Sequence, residues 1–201
     1  MGAGDYRTGE TALELRFQNC RIVIDFSFPA MLAILFLQAD AGLLKQAFLV
    51  CLIHELGHGL AMCLTESGIR EIRFYASGIR MKTKACLLSD GKLLAIYLSG
   101  PLMNLICAVL FRNVSPLTAV LHLGMGVFNL LPYRILDGGA VLETFLENRP
   151  VCLKIRSIFC IILSAVSVSC LYCLKIQNPS LYLTAVYLAF SEFAVDKSPS
   201  L

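Results

Sequence analysis

The sequence contains no tryptophan, only three histidines, and only 15% charged residues among its 201 positions. With 57% hydrophobic residues and a mean hydropathy of +0.73, that scarcity of charge excludes an ordinary soluble domain. No long linker, internal repeat or low-complexity tract interrupts the chain, so one compact membrane domain over residues 1–201 is expected. Residues 1–21 mix both signs of charge and lack an apolar core followed by small residues, which is not the pattern of a cleaved signal peptide. Nine cysteines do not make a disulfide framework, because the number is odd and most lie in apolar runs as small fillers. Cys170 and Cys173 have CxxC spacing, yet they too fall inside such a run.

Long apolar stretches are what the sequence does have. A helix crossing a bilayer needs ~20 largely apolar residues. Six candidates are expected: about 22–39, 47–64, 93–111, 117–133, 157–174 and 180–195, the last interrupted by Glu192. The fold class is therefore an all-α polytopic membrane protein. If the six spans hold, only Lys45, Arg112 and Lys175 of the 17 Lys and Arg residues fall on one side, and all the others fall on the opposite side. The positive-inside rule then puts both termini in the cytoplasm. A net charge of +3 reports this topology and not nucleic-acid binding.

Between the second and third spans, Ile72, Phe74 and Ala76 and then Ile79, Met81 and Thr83 alternate with polar residues. That period predicts a hairpin over about 69–85, turning near Ser77 and Gly78. Weaker alternation over 13–24 could add a strand beside it. After the fourth span, Gly138 to Asn148 reads as a short interfacial helix that Pro150 would end.

The pentapeptide His54-Glu55-Leu56-Gly57-His58 carries the chemistry. Imidazoles four residues apart share one helical face, where both can reach a zinc ion at roughly 2.0–2.1 Å. Glu55 stands beside them without having to bind: it takes a proton from the water that the ion acidifies and passes one to the leaving amine. An acidic side chain at a helix centre is charged roughly 2.5–3.5 kcal/mol on insertion scales, so an intramembrane Glu between two His argues for a functional cavity. With the second span ending near Leu64, His58 lies ~9 Å and His54 ~15 Å below its cytoplasmic end. Water must then reach the site from that side through an enclosed polar passage. A hydrolytic zinc usually takes a third protein ligand. Asp137, beyond Pro132, and His122, in the fourth span, both suit the ion, and the Glu143 and Glu147 pair is a third possibility.

His54 to His58 resembles the metal motif of the site-2 proteases. Gly100-Pro101-Leu102-Met103-Asn104 is similar to their GxxxN motif, and Asn129 to Gly138 to their NxxPxxxLDG segment, in the same order and with matching internal spacing. The resemblance covers roughly residues 22–139, and Tyr133-Arg134-Ile135 departs from it where the family often has prolines. It implies an intramembrane zinc endopeptidase with Asp137 as third ligand and His122 as a packing or supporting residue. It also implies that Asn104 and Asn129 position substrate or stabilise an oxyanion; for Asn104, a hydrogen bond between helices is the competing reading. The edge of the hairpin, at Ile79 and Met81, could receive an unwound substrate segment as an added strand.

The expected partners are a membrane-tethered protein substrate, the lipid bilayer and, where selection needs help, a regulatory membrane protein. No PDZ or CBS module is expected beside six spans within these 201 residues. A bacterial cell membrane is the expected location, by analogy with compact sporulation-type enzymes. The competing reading is a membrane metal-binding or transport protein without hydrolysis, but the outer halves of the second, third and fifth spans offer few polar groups for a path.

Overall fold

The computed structural model describes residues 6–9, 12–17, 20–38, 40–75, 78–84, 88–146 and 149–193. They divide into two compact units, Met1–Gly126 and Val127–Ser200, and each is described by itself.

In the first unit, strands β1 (Tyr6–Gly9), β2 (Ala12–Phe17) and β3 (Cys20–Asp25) form an antiparallel meander. Helices α1 (Ser27–Gln38) and α2 (Ala41–Leu64) follow, then β4 (Ile69–Tyr75) and β5 (Gly78–Thr83). The sheet order is β1-β2-β3-β4-β5. β3 and β4 are parallel, with Arg21 opposite Glu71 and Ile24 opposite Phe74, and a parallel pair needs a long crossover, which α1 and α2 supply. Glu71 sits among Arg21, Arg73 and Lys82 at 3.9, 3.3 and 3.8 Å, so an acid nearly buried in a basic sheet is compensated from three sides. Met81 of β5 and Ile69 of β4 pack against Ala61, Met62 and Ile96, which anchors the hairpin to the end of α2. The unit closes with α3 (Asp90–Phe111) and most of α4 (Pro116–Asn129).

The hairpin at 69–85 and the additional strand within 13–24 are both present, although Ser77, at the expected turn, lies outside the described residues. The first expected span is not one helix. Ile22, Val23 and Ile24 belong to β3, and α1 has only 12 residues. The expected boundary fails because three consecutive β-branched residues have the apolar character of a span's beginning, although in β3 only Val23 is buried and Ile22 and Ile24 are half-buried.

Among the described residues, three helices are long and apolar enough to cross a membrane: α2, α3 and α6 (Pro150–Cys173). α1, α4 and α7 (Pro179–Phe193) have 12, 14 and 15 residues, short of the ~20 that a hydrocarbon core requires. Leu56, Leu60 and Leu64 on α2, Ile106, Val109 and Leu110 on α3, and Ile155, Phe159 and Ile162 on α6 are all exposed. Apolar surface of this extent is stable against lipid, not against water.

The second unit holds the loop 130–136, then α5 (Asp137–Leu146), α6 and α7. α5 matches the short helix expected at 138–148, while Glu147 and Asn148 lie outside the described residues. Pro150 opens α6, where its missing N–H leaves nothing unsatisfied. Around Tyr133, Cys160 and Leu188 a small core forms with Leu131, Leu136 and Leu163.

Candidate metal centre

Asp40 caps α2, its carboxylate accepting from the Leu43 N–H at 2.9 Å, and the helix runs unbroken past both histidines. Four residues of separation bring His54 and His58 together: their Nε2 atoms are 3.1 Å apart and the rings meet edge to face. Both are buried, at 3% and 8% exposure. Two nitrogens bound at ~2.0–2.1 Å to one tetrahedral ion stand roughly 3.3 Å apart, so the pair fits a shared metal.

Why the rings have room is written in the glycines of two helices. A Cβ on Gly57 would lie 2.7 Å from the Ser99 carbonyl, so this glycine lets α3 come against α2. A Cβ on Gly100 would run into both imidazoles. The first residue of the GxxxN motif thus provides the space that the histidine rings fill. Pro101 follows it inside α3 and is fully buried.

Each ring is held by its second nitrogen. His58 Nδ1 donates to the Ile96 carbonyl at 2.8 Å, which leaves a lone pair on its Nε2. His54 Nδ1 meets the Asn104 carboxamide nitrogen at 3.1 Å. At 3.0 Å, the amide oxygen of Asn104 meets His122 Nδ1, and the His122 ring is stacked on Phe111 with centroids 5.9 Å apart. Asn104 and His122 are 0% and 1% exposed. Asn104, expected to face substrate, therefore has both amide ends on imidazoles. Glu55 is half-buried on the turn between the histidines.

The second unit places Asp137 at the first turn of α5, half-buried. Side chains at Gly138 and Gly139 would collide with the Leu130, Leu131 and Tyr133 carbonyls, so the loop turns back tightly onto the start of its helix. The turn is pinned at two points. The Tyr133 hydroxyl donates to the Cys160 carbonyl at 3.2 Å and lies 2.8 Å from Ser164 Oγ, while the Arg134 N–H donates to Glu192 Oε1 at 2.8 Å. Glu192 also accepts from Ser157 Oγ at 2.8 Å and pairs with Arg156 at 3.3 Å; Arg156 and Arg134 both reach Glu143, at 3.3 and 3.1 Å. Glu143 is thus engaged in this charge cluster. Asn129 is the last residue of α4 and is half-buried.

Among the expected residues, His54, His58, Asn104 and His122 form one hydrogen-bonded group in the first unit. Ile79 and Met81 lie on β5, which is at an edge of the sheet among the described residues. The Glu192 and Arg156 pair was not anticipated, although a lone acid in an otherwise apolar helix was a signal for it.

The fold defined by these elements, a small sheet whose β3–β4 crossover carries an imidazole pair, is one already seen in a protease. The chain is similar in structure to a site-2 protease from Methanocaldococcus jannaschii, with a TM-score of 0.65 and 21% identity, over 94% of this chain and 99% of that one. At this identity the likeness establishes a shared site-2 protease fold. No family model matches the chain, and no curated protein sequence matches it.

Proposed function

We propose that this protein is an intramembrane zinc endopeptidase of the site-2 protease type, which hydrolyses peptide bonds in or near the transmembrane segments of tethered substrates. The observation that carries the reading is the pair of buried imidazoles on an apolar helix, with Nε2 atoms 3.1 Å apart and each Nδ1 engaged by a partner. A supported, convergent pair of this kind is what a metal requires of its histidines.

His54, His58 and Asp137 are the proposed ligands, two imidazoles and one carboxylate, a donor set suited to zinc. An ion held there supplies Lewis acidity, acidifying water and polarising the scissile carbonyl. Glu55 takes the proton from the attacking water and delivers one to the departing amine. Asn129 positions the substrate backbone or supports the oxyanion. β5 adds the unwound substrate as a further strand along its edge, with Ile79 at the contact.

The two units act as one protease domain. α1, α4 and α7 complete a layout of six membrane segments, three long and three short. The basic loops face the cytoplasm together with both termini, and water enters from that side of a bacterial cell membrane. Substrate choice rests with the core, the loops or a regulatory membrane protein.

Incubating purified protein with membrane-tethered substrates, with and without a chelator, tests the reading. Glu55→Gln should keep its zinc and lose about 10²–10⁴-fold in cleavage rate. A variant that cuts at the normal rate removes Glu55 from the mechanism. Ile79→Pro should lower cleavage while zinc content stays unchanged, and normal cleavage by this variant would rule out the strand-addition step.

A further inference from the structure

We propose that His122 and Asn104 are positioning residues that decide whether His54 can act as a ligand, by passing a choice of proton position from one imidazole to the other. The proposal rests on the metal reading above and deepens it.

A neutral imidazole carries its proton on one nitrogen and a lone pair on the other. His54 can ligate through Nε2 only when its proton is on Nδ1 and has an acceptor there. The group facing Nδ1 is the Asn104 carboxamide, at 3.1 Å, and the other end of that carboxamide faces His122 Nδ1 at 3.0 Å. A carboxamide has one donor end and one acceptor end. Clamped between two Nδ1 atoms, it forces them into opposite states: when one is protonated, the other is bare. Asn104 and His122 are at most 1% exposed, so bulk water has no access to substitute for either partner.

Two registers satisfy both Asn104 contacts. As placed, Oδ1 accepts from His122 Nδ1–H and Nδ2 donates to His54 Nδ1. His54 then carries its proton on Nε2 and can donate it to His58 Nε2, 3.1 Å away, while His58 Nδ1–H donates to Ile96. All four hydrogen bonds run in one direction, and the two Nε2 atoms close on each other. Half a turn of the amide exchanges its oxygen and nitrogen over the same heavy-atom positions. Oδ1 now accepts from His54 Nδ1–H, Nδ2 donates to His122 Nδ1, and the His122 proton sits on Nε2. Both imidazoles of α2 then present lone pairs to one point. No proton is gained or lost in the exchange: one moves between nitrogens on His54 and one on His122. Metal loading, the amide turn and the His122 tautomer are thus a single coupled event, although His122 is not a ligand.

Nitrogen-15 spectra of the full-length, histidine-labelled protein in lipid nanodiscs, recorded during addition of Zn2+, read this directly. His122 should move to the Nε2–H tautomer in step with the His54 and His58 shifts. If His54 and His58 shift while His122 stays unchanged, the relay is overturned and the metal reading survives; if no histidine responds and no zinc is retained, the metal reading itself fails.

Zinc affinity measured by competition with a chromophoric chelator gives a second readout. His122→Phe, which keeps a ring against Phe111, should weaken binding about 10–100-fold. Asn104→Asp offers oxygen at both ends, so it should bind close to wild type and make a further His122→Phe change nearly silent. Equal losses from His122→Phe in the Asn104 and Asn104→Asp backgrounds would overturn the relay, because they would mean that the ring acts only through packing.

Discussion

The region around His54 and His58 and the region around Asp137 present their proposed ligands in opposite ways. In the first, a continuous helix sets the spacing, glycines on two helices make the space, and neutral hydrogen bonds to Ile96 and Asn104 orient the rings. In the second, an irregular turn presents the carboxylate, and what holds the turn is a buried set of charges on α5, α6 and α7. A helix delivers two residues at i and i+4 to one face without further help. A loop has no such intrinsic geometry and must be tied at particular atoms, which is why Glu192 accepts from the backbone N–H of Arg134.

The contrast breaks most severely at Glu192. Glu192→Ala leaves Arg156 buried without its main partner, which should destabilise the protein by about 3–5 kcal/mol. Reversible unfolding in detergent, compared with wild type, measures the loss. A change below 1 kcal/mol, the range of an exposed pair, would show that the charges do not hold the turn. Next comes Gly100→Ala, which puts a methyl group against both imidazoles and should weaken zinc binding about 10–100-fold. Gly124→Ala, where a Cβ meets nothing within 4 Å, is the matched control and should bind normally. The smallest effect belongs to Tyr133→Phe. It removes one hydroxyl between Cys160 and Ser164 and should lower stability by about 1 kcal/mol, with zinc affinity unchanged if the two regions are held independently.

The legible parts of this molecule were those with local periods. The HELGH helix, the hairpin at 69–85 and the short helix after Asp137 all declare themselves over a few residues, and the structure has each of them. Asn104 was legible only as a motif position; its pairing with His54 and His122 joins residues on three helices, and no spacing rule encodes that. The same holds for Arg156 and Glu192, which are 36 positions apart. β3 was partly legible, as alternation within 13–24. Its overlap with the first apolar run hid the boundary at which strand becomes helix, because Ile and Val satisfy both readings.

The parallel pairing of β3 with β4 has a consequence for biogenesis. Residues 20–25 emerge from the ribosome well before residues 69–75, and everything between them is the helical excursion that carries HELGH. The sheet therefore cannot be completed, and β5 cannot be templated on β4, until that excursion has returned. Chain order acts as a clock: the β5 edge of the sheet comes into existence only after α2 has been made.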